Sequence, residues 1–163
     1  MIFKADQNVR EKLVPMFEEF DSTVVLSYLQ GHMGDAWVDN LENPTVAQIT
    51  VGIFVFFAGD PNKEEAVELL HNLPEFTLAI VQTEEWKNRI EAVHKGALEK
   101  FHRYRFNKEP KDLNRLHMQT ILSTLPSEYK LKRIDKTIAN SPTFHELSED
   151  FISQFDSVDD FME

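Results

Sequence analysis

The stretch 24–59, VVLSYLQGHMGDAWVDNLENPTVAQITVGIFVFFAG, decides how this chain folds. Two apolar runs rich in β-formers flank a turn that carries Gly31 and Gly34 and the unit Ala36-Trp37-Val38-Asp39. Residues 23–29 read as a buried strand. Residues 30–34 read as a turn, in which glycine supplies backbone angles that other residues resist. Residues 35–39 continue as a second strand, so a β-hairpin is the simplest geometry. From Ala47 the odd positions Ala47, Ile49, Val51, Ile53, Val55 and Phe57 form one apolar face. The even positions change from Gln48, Thr50 and Gly52 to Phe54 and Phe56. That pattern predicts one long strand, wet on one side early and buried on both sides later. It exceeds the usual strand length, so Gly52 marks a bend or bulge.

Working outward, Ile2 and Phe3 predict a short strand or a tether. Asn8 and Glu11 suggest a cap, and Val9, Leu13, Met16, Phe17 and Phe20 recur on one face, which predicts a helix over 9–20 kinked at Pro15. After Gly59, Asp60-Pro61 opens a helix with Ala66, Leu69, Leu70 and Leu73 inward, and Pro74 stops it. A strand over 76–81 and a helix over 84–98 follow. Alternation then predicts a strand over 101–106, and a helix over 113–125 and a short strand over 129–134 come next. Thr143 and Glu146 make a capping box for a helix over 144–155, with a further helix or turn from Ser157. The fold class expected is α+β or α/β, three-layered, with a mixed, mainly antiparallel central sheet flanked by helices.

Composition narrows the function classes. A chain of 163 residues fits one domain or two small lobes, and 42% hydrophobic residues with 13 phenylalanines supply a core. There is no cysteine, which excludes a disulfide scaffold, thiol catalysis and Cys-based zinc sites. The opening MIFKADQNVREKLV turns charged at once, unlike a secretory signal, and 50–59 is too short to span a bilayer as a helix. A soluble cytoplasmic protein is the default expectation. The net charge of -11 opposes nucleic-acid binding. Residues 146–163 hold seven carboxylates and no Lys or Arg.

No self-sufficient catalytic signature is present. Gly31-x-x-Gly34 lacks the lysine of a phosphate loop and the third glycine of a dinucleotide loop, so a structural turn is the plainer reading. Trp37 and Asp39 share one side of their strand, so Trp37 could line a pocket in which Asp39 accepts a substrate amine or hydroxyl. A solvated or capping carboxylate is the commoner outcome. His32 sits on the central turn, where it could shuttle a proton or simply lie exposed. No histidine pair has ligand spacing for zinc, and no serine lies in a GxSxG elbow. Arg103 and Arg105 alternate within a basic segment and could form a weak anion site, although ordinary surface compensation also explains them.

The units QGHMGDAWVDN (30–40), PTVAQI (44–49), GIFVFFAG (52–59), YKLKRID (129–135) and DFISQFDSVDDF (150–161) run in one order along most of the chain. In these units the chain resembles the N-terminal region of zwittermicin A resistance-type GNAT (Gcn5-related N-acetyltransferase) acetyltransferases. The family commonly has an acidic residue after the first glycine of GIFVFFAG. Ile53 stands there, so no polar role carries over. The resemblance implies a GNAT-like N-terminal domain over 1–163, with 156–163 a junction to a C-terminal acetyl-CoA-binding domain. It implies acetyl transfer from acetyl-CoA to an unidentified amine for the complete protein. An Arg/Gln-x-x-Gly-x-Gly/Ala loop would hold the pyrophosphate, and none occurs in these residues. The chain alone is therefore expected to be catalytically incomplete, with the C-terminal GNAT domain or another subunit as partner. A non-catalytic interaction or small-ligand-binding module is the alternative. The catalytic residues are not readable.

Overall fold

The structure is a computed structural model that describes residues 1–102, 104, 106, 107, 109–152, 155 and 157–162. Its first part runs β1 (Phe3–Lys4), α1 (Gln7–Leu13), a 3-10 turn at Val14–Met16, α2 (Thr23–Leu29), β2 (Asp35–Val38), β3 (Val46–Val51), β4 (Phe54–Gly59), α3 (Glu64–His71), β5 (Leu78–Ile80) and α4 (Glu84–Val93). The five strands lie in the order β1-β2-β3-β4-β5. All neighbours are antiparallel except β4 and β5, which are parallel and joined through α3. The mixed, mainly antiparallel sheet flanked by helices is therefore present as expected.

Two of the strand expectations are corrected. The long strand at 47–57 is a hairpin, in which Val51 pairs with Phe54 across Gly52 and Ile53. Gly52 has φ +57, and glycine at the first position of a two-residue turn matches the right-handed twist of the strands it joins. This turn reverses parity. Ala47, Ile49 and Val51 share a core with Phe56 and Ala58, while Val46 shares the opposite core with Val55 and Phe57. Ile53 lies at the turn, 43% exposed.

The expected strand at 23–29 is helix α2. Its β-branched residues favour a strand locally, but Val25 and Tyr28 are both buried, and the spacing of three fits one face of a helix. There is accordingly no hairpin between 23–29 and 35–39. α1 is capped by Asp6, whose Oδ1 accepts from the Val9 N–H at 3.0 Å, rather than by Asn8. It passes into the 3-10 turn at Pro15, so the helix expected over 9–20 is shorter.

The core has two halves, one on each face of the sheet. Val9 and Leu13 of α1, Phe17, and Val25 and Tyr28 of α2 cover Ala36, Val38, Ala47, Ile49 and Phe56. Ala66, Leu69 and Leu70 of α3 and Trp86 and Ile90 of α4 cover Val46, Val55 and Phe57. Each fully buried large side chain contributes about 1.5–3 kcal/mol.

Beyond α4 come α5 (Arg115–Ser123), α6 (Lys136–Ala139), α7 (Pro142–Ile152) and α8 (Val158–Met162). α6 packs against both α7 and α8 with Ala139 buried, and Lys136 pairs with Asp159 at 2.7 Å. The described residues of 101–106 and 129–134 are in no strand, since none pairs with a neighbouring strand. Tyr104 and Phe106 are almost fully exposed. Residues 156 and 163, the bounds of the expected junction, lie outside the described residues. Among the described residues no helix is long and apolar enough to cross a membrane.

Candidate functional site

Parallel strands with a helical crossover form a crevice beyond their carboxyl ends, which is where sheets of this kind bind ligands. Here that place is the end of β4 and β5. A cleft of about 380 Å³ opens there, lined by Glu18, Glu19, Phe20, Gln82 and Trp86 among others, with no Lys or Arg in its lining. Trp86 fills part of it. Its ring stacks on Phe57 with centroids 5.1 Å apart, and its Nε1 donates to the Gly59 carbonyl at 3.0 Å. Gln82 Nε2 reaches across to the Glu19 carbonyl at 3.4 Å.

The junction between β4 and α3 reads Gly59-Asp60-Pro61-Asn62-Lys63. Gly59 has φ +87, and a Cβ there would lie 2.0 Å from the Thr45 carbonyl oxygen, so only glycine fits. The Asp60 N–H donates to the Thr45 carbonyl at 3.1 Å, and the Asn62 N–H to Asp60 Oδ1 at 2.9 Å. Pro61 has no N–H to offer. The first turn of α3 has no side-chain cap, but it carries Glu64 and Glu65, which already answer the positive end of its dipole. The cations nearby are committed. Lys63 Nζ bonds Asp39 Oδ2 at 3.1 Å and the Thr45 hydroxyl, while Arg89 Nη2 donates to the Asn62 carbonyl at 3.3 Å. The N-terminal ammonium sits 2.7 Å from Glu68 Oε1.

A pyrophosphate needs several open N–H donors in a field that is not negative. This junction offers a proline, two donors already used, and an uncapped first turn of α3 whose N–H groups stand among the carboxylates Asp60, Glu64 and Glu65. Its residues do not fit the phosphates of acetyl-CoA.

Asp39 forms the other part of this corner. Its side chain is 6% exposed, and its Oδ1 accepts from the N–H groups of Thr45 (2.8 Å) and Val46 (3.1 Å). Oδ2 accepts from the Thr45 hydroxyl at 2.6 Å and from Lys63. Burial alone would raise this carboxyl, but the bonds from the Thr45 hydroxyl and N–H, the Val46 N–H and Lys63 outweigh it and bring it down to about 2. The geometry makes Asp39 the clasp of the β2–β3 connection.

Trp37 points to the same face of the sheet as α3, alongside Ile2 and Leu73. With Asp35, Gln48, Thr50, His71 and Asn72 it lines a second cleft of about 320 Å³. Gln48 is 1% exposed; its Nε2 donates to Thr50 Oγ1 at 3.0 Å, and its Oε1 is buried with no partner among the described residues. Asp35 pairs with Lys4 at 2.8 Å, and both side chains are 56% exposed. Sequence reasoning passed over Asp35, although it stands two positions before Trp37 and so shares its face. Gln48 and Thr50 gave a signal as the polar positions of β3.

His32 lies exposed between α2 and β2, with its backbone N–H on the Ser27 carbonyl at 2.9 Å. It lines neither cleft. Arg103 and Arg105 lie outside the described residues. Lys100, at the start of that basic segment, pairs with Glu91 at 2.6 Å.

A family model described as GNAT acetyltransferase matches residues 14–163. No curated protein matches the chain in sequence. Among solved structures, a GCN5-related N-acetyltransferase-like protein from Streptococcus suis 89/1591 is similar, with a TM-score of 0.73 and 24% identity. The match covers 94% of this chain and 61% of that one, so the chain spans about three-fifths of that protein's length. At this identity the likeness is one of fold.

Proposed function

Because the chain belongs to the GNAT acetyltransferase family, we propose that it is the N-terminal domain of an N-acetyltransferase that moves acetyl from acetyl-CoA to an amine, and that 1–163 is not a catalyst by itself. The observation that carries the second half is the β4–α3 junction. Pro61 has no N–H, the Asp60 and Asn62 N–H groups are bonded, Lys63 is held by Asp39, and Asp60, Glu64 and Glu65 make the junction negative. In this reading acetyl-CoA is held by residues other than these, and the present domain supplies a folded platform. The resemblance favours the zwittermicin A resistance branch within the family.

The partner is a C-terminal GNAT domain or another subunit. This is supported by the apolar side chains that α5 and its neighbours leave in solvent. Leu113 is 77% exposed, Leu116 74% and Met118 58%, with Ile121 and Leu122 each at 51%. Exposed apolar side chains in this number favour coverage by another protein. The same observation favours the second reading, a non-catalytic interaction module, in which the surface is the whole function.

Release of CoA thiol from acetyl-CoA, measured with the purified chain and a panel of primary amines, tests the proposal. The expected rate equals the background without protein. Amine-dependent release above that background would overturn the view that the chain is incomplete.

A further inference from the structure

We propose that residues 95–133 form a self-association surface, on which the acidic helix α7 of a second copy of this chain docks. This rests on the reading that another protein covers the apolar side chains around α5, and it identifies that protein. Every described residue from 95 to 133 is exposed. The segment is nevertheless rich in side chains that avoid water: Tyr104 is 95% exposed, Phe106 92%, and Leu113 and Leu131 77% each. On α5, Met118, Ile121 and Leu122 stand three and four positions apart, so they share one side of the helix, and all three are exposed. A standard interface takes about 20–30 residues from each partner, and a stretch of this length supplies them.

Charge selects the occupant. Residues 95–133 hold ten Lys and Arg against four carboxylates, in a chain whose net charge is -11. Lys100 is paired with Glu91, but Lys130, Lys132 and Arg133 form no ion pair among the described residues. The segment therefore calls for a surface that is both acidic and apolar.

That surface is carried by the same chain. Residues 146–163 hold seven carboxylates and no Lys or Arg. On α7, Glu146 and Glu149 are exposed without an ion pair among the described residues, and Leu147 beside them is 83% exposed. Two copies related by a two-fold axis make the contact twice, segment on helix and helix on segment, which closes the pair. The net charge of each copy opposes association, but at about 0.1 M salt it is screened beyond about 10 Å. Opposite charges in contact then decide.

Sedimentation equilibrium of the full chain at about 50 mM and about 500 mM NaCl tests this. A dimer is expected at low salt, weakened at least about tenfold at high salt; an association driven by apolar contact alone would strengthen instead. The double variants Lys130→Glu with Lys132→Glu, and Glu146→Lys with Glu149→Lys, should each be monomeric. Mixed together they should form a heterodimer, because the reversed charges again face opposites. All four residues are exposed, so the melting temperatures should stay near that of wild type. A monomer up to about 0.2 mM at low salt, a dimer that salt strengthens, or a mixture without heterodimer would overturn the proposal. A monomer whose Leu116→Gln, Ile121→Gln variant melts like wild type removes only the second copy and leaves a different covering protein. A monomer whose variant melts far lower removes the covered surface as well.

Discussion

At the scale of single residues, Asp39 and Gly59 hold the corner where β2, β3 and β4 meet α3. Asp39 satisfies two backbone N–H groups and a hydroxyl and neutralises Lys63, so its loss leaves several polar groups short of partners. Its carboxyl falls from 3.8 to about 2 on folding, so its contribution is fully present above pH 4 and fades as pH falls from about 4 to about 2. Asp39→Asn should therefore cost about 1–2 kcal/mol at neutral pH, and the gap from wild type should close progressively in melts taken between about pH 4 and pH 2. Gly59 meets the Thr45 carbonyl at a distance no Cβ tolerates, in a conformation that side chains resist. Gly59→Ala should cost at least about 2 kcal/mol in urea unfolding, and a neutral result would mean that β3 and β4 do not meet there as described.

Elements were legible in the sequence where periodicity and burial agree, and misread where they conflict. α3 and α4 show apolar residues at helical spacing, and Ala66, Leu69, Leu70, Trp86 and Ile90 are indeed inside. α2 failed because its Val-Val-Leu run has strand propensity while tertiary contact with the sheet selects Val25 and Tyr28 at a spacing of three. The β3–β4 hairpin failed because a two-residue turn keeps apolar residues on both sides of it, so alternation alone reads straight through. Gly52 is the signal: as a bend or bulge it fits one long strand, but it is the first residue of a two-residue turn. Of the site, Trp37 was legible as an aromatic beside a carboxylate. Which carboxylate borders the cleft depends on the β2–β3 loop folding back onto Asp39, a contact between positions six apart that no periodicity carries. The face under α3 provides the test at this scale. Leu69, fully buried between α3 and the sheet, should cost about 2–5 kcal/mol when changed to Ala, whereas the exposed Leu26 of α2 should cost less than about 1 kcal/mol. Equal costs would contradict the assignment of faces.

For the whole molecule, the sheet carries a core on each face, yet large apolar side chains around α5 remain in solvent. Burying them requires a second surface, which is why a partner forms part of the proposed function. Replacing Leu116 and Ile121 together by Gln should lower binding of an apolar dye severalfold and leave the melting temperature nearly unchanged, because both are more than half exposed. A large fall in melting temperature would instead place these residues inside the fold.

The family relation supplies acetyl-CoA as the expected cofactor, while the residues at the β4–α3 junction oppose it. Calorimetric titration of acetyl-CoA into the chain, with amide NMR shifts followed at 59–65, decides between the two. No saturable heat up to about 1 mM and unmoved amides at the junction are predicted. Micromolar binding with shifts concentrated at Gly59, Asn62 and Glu64 would contradict the account.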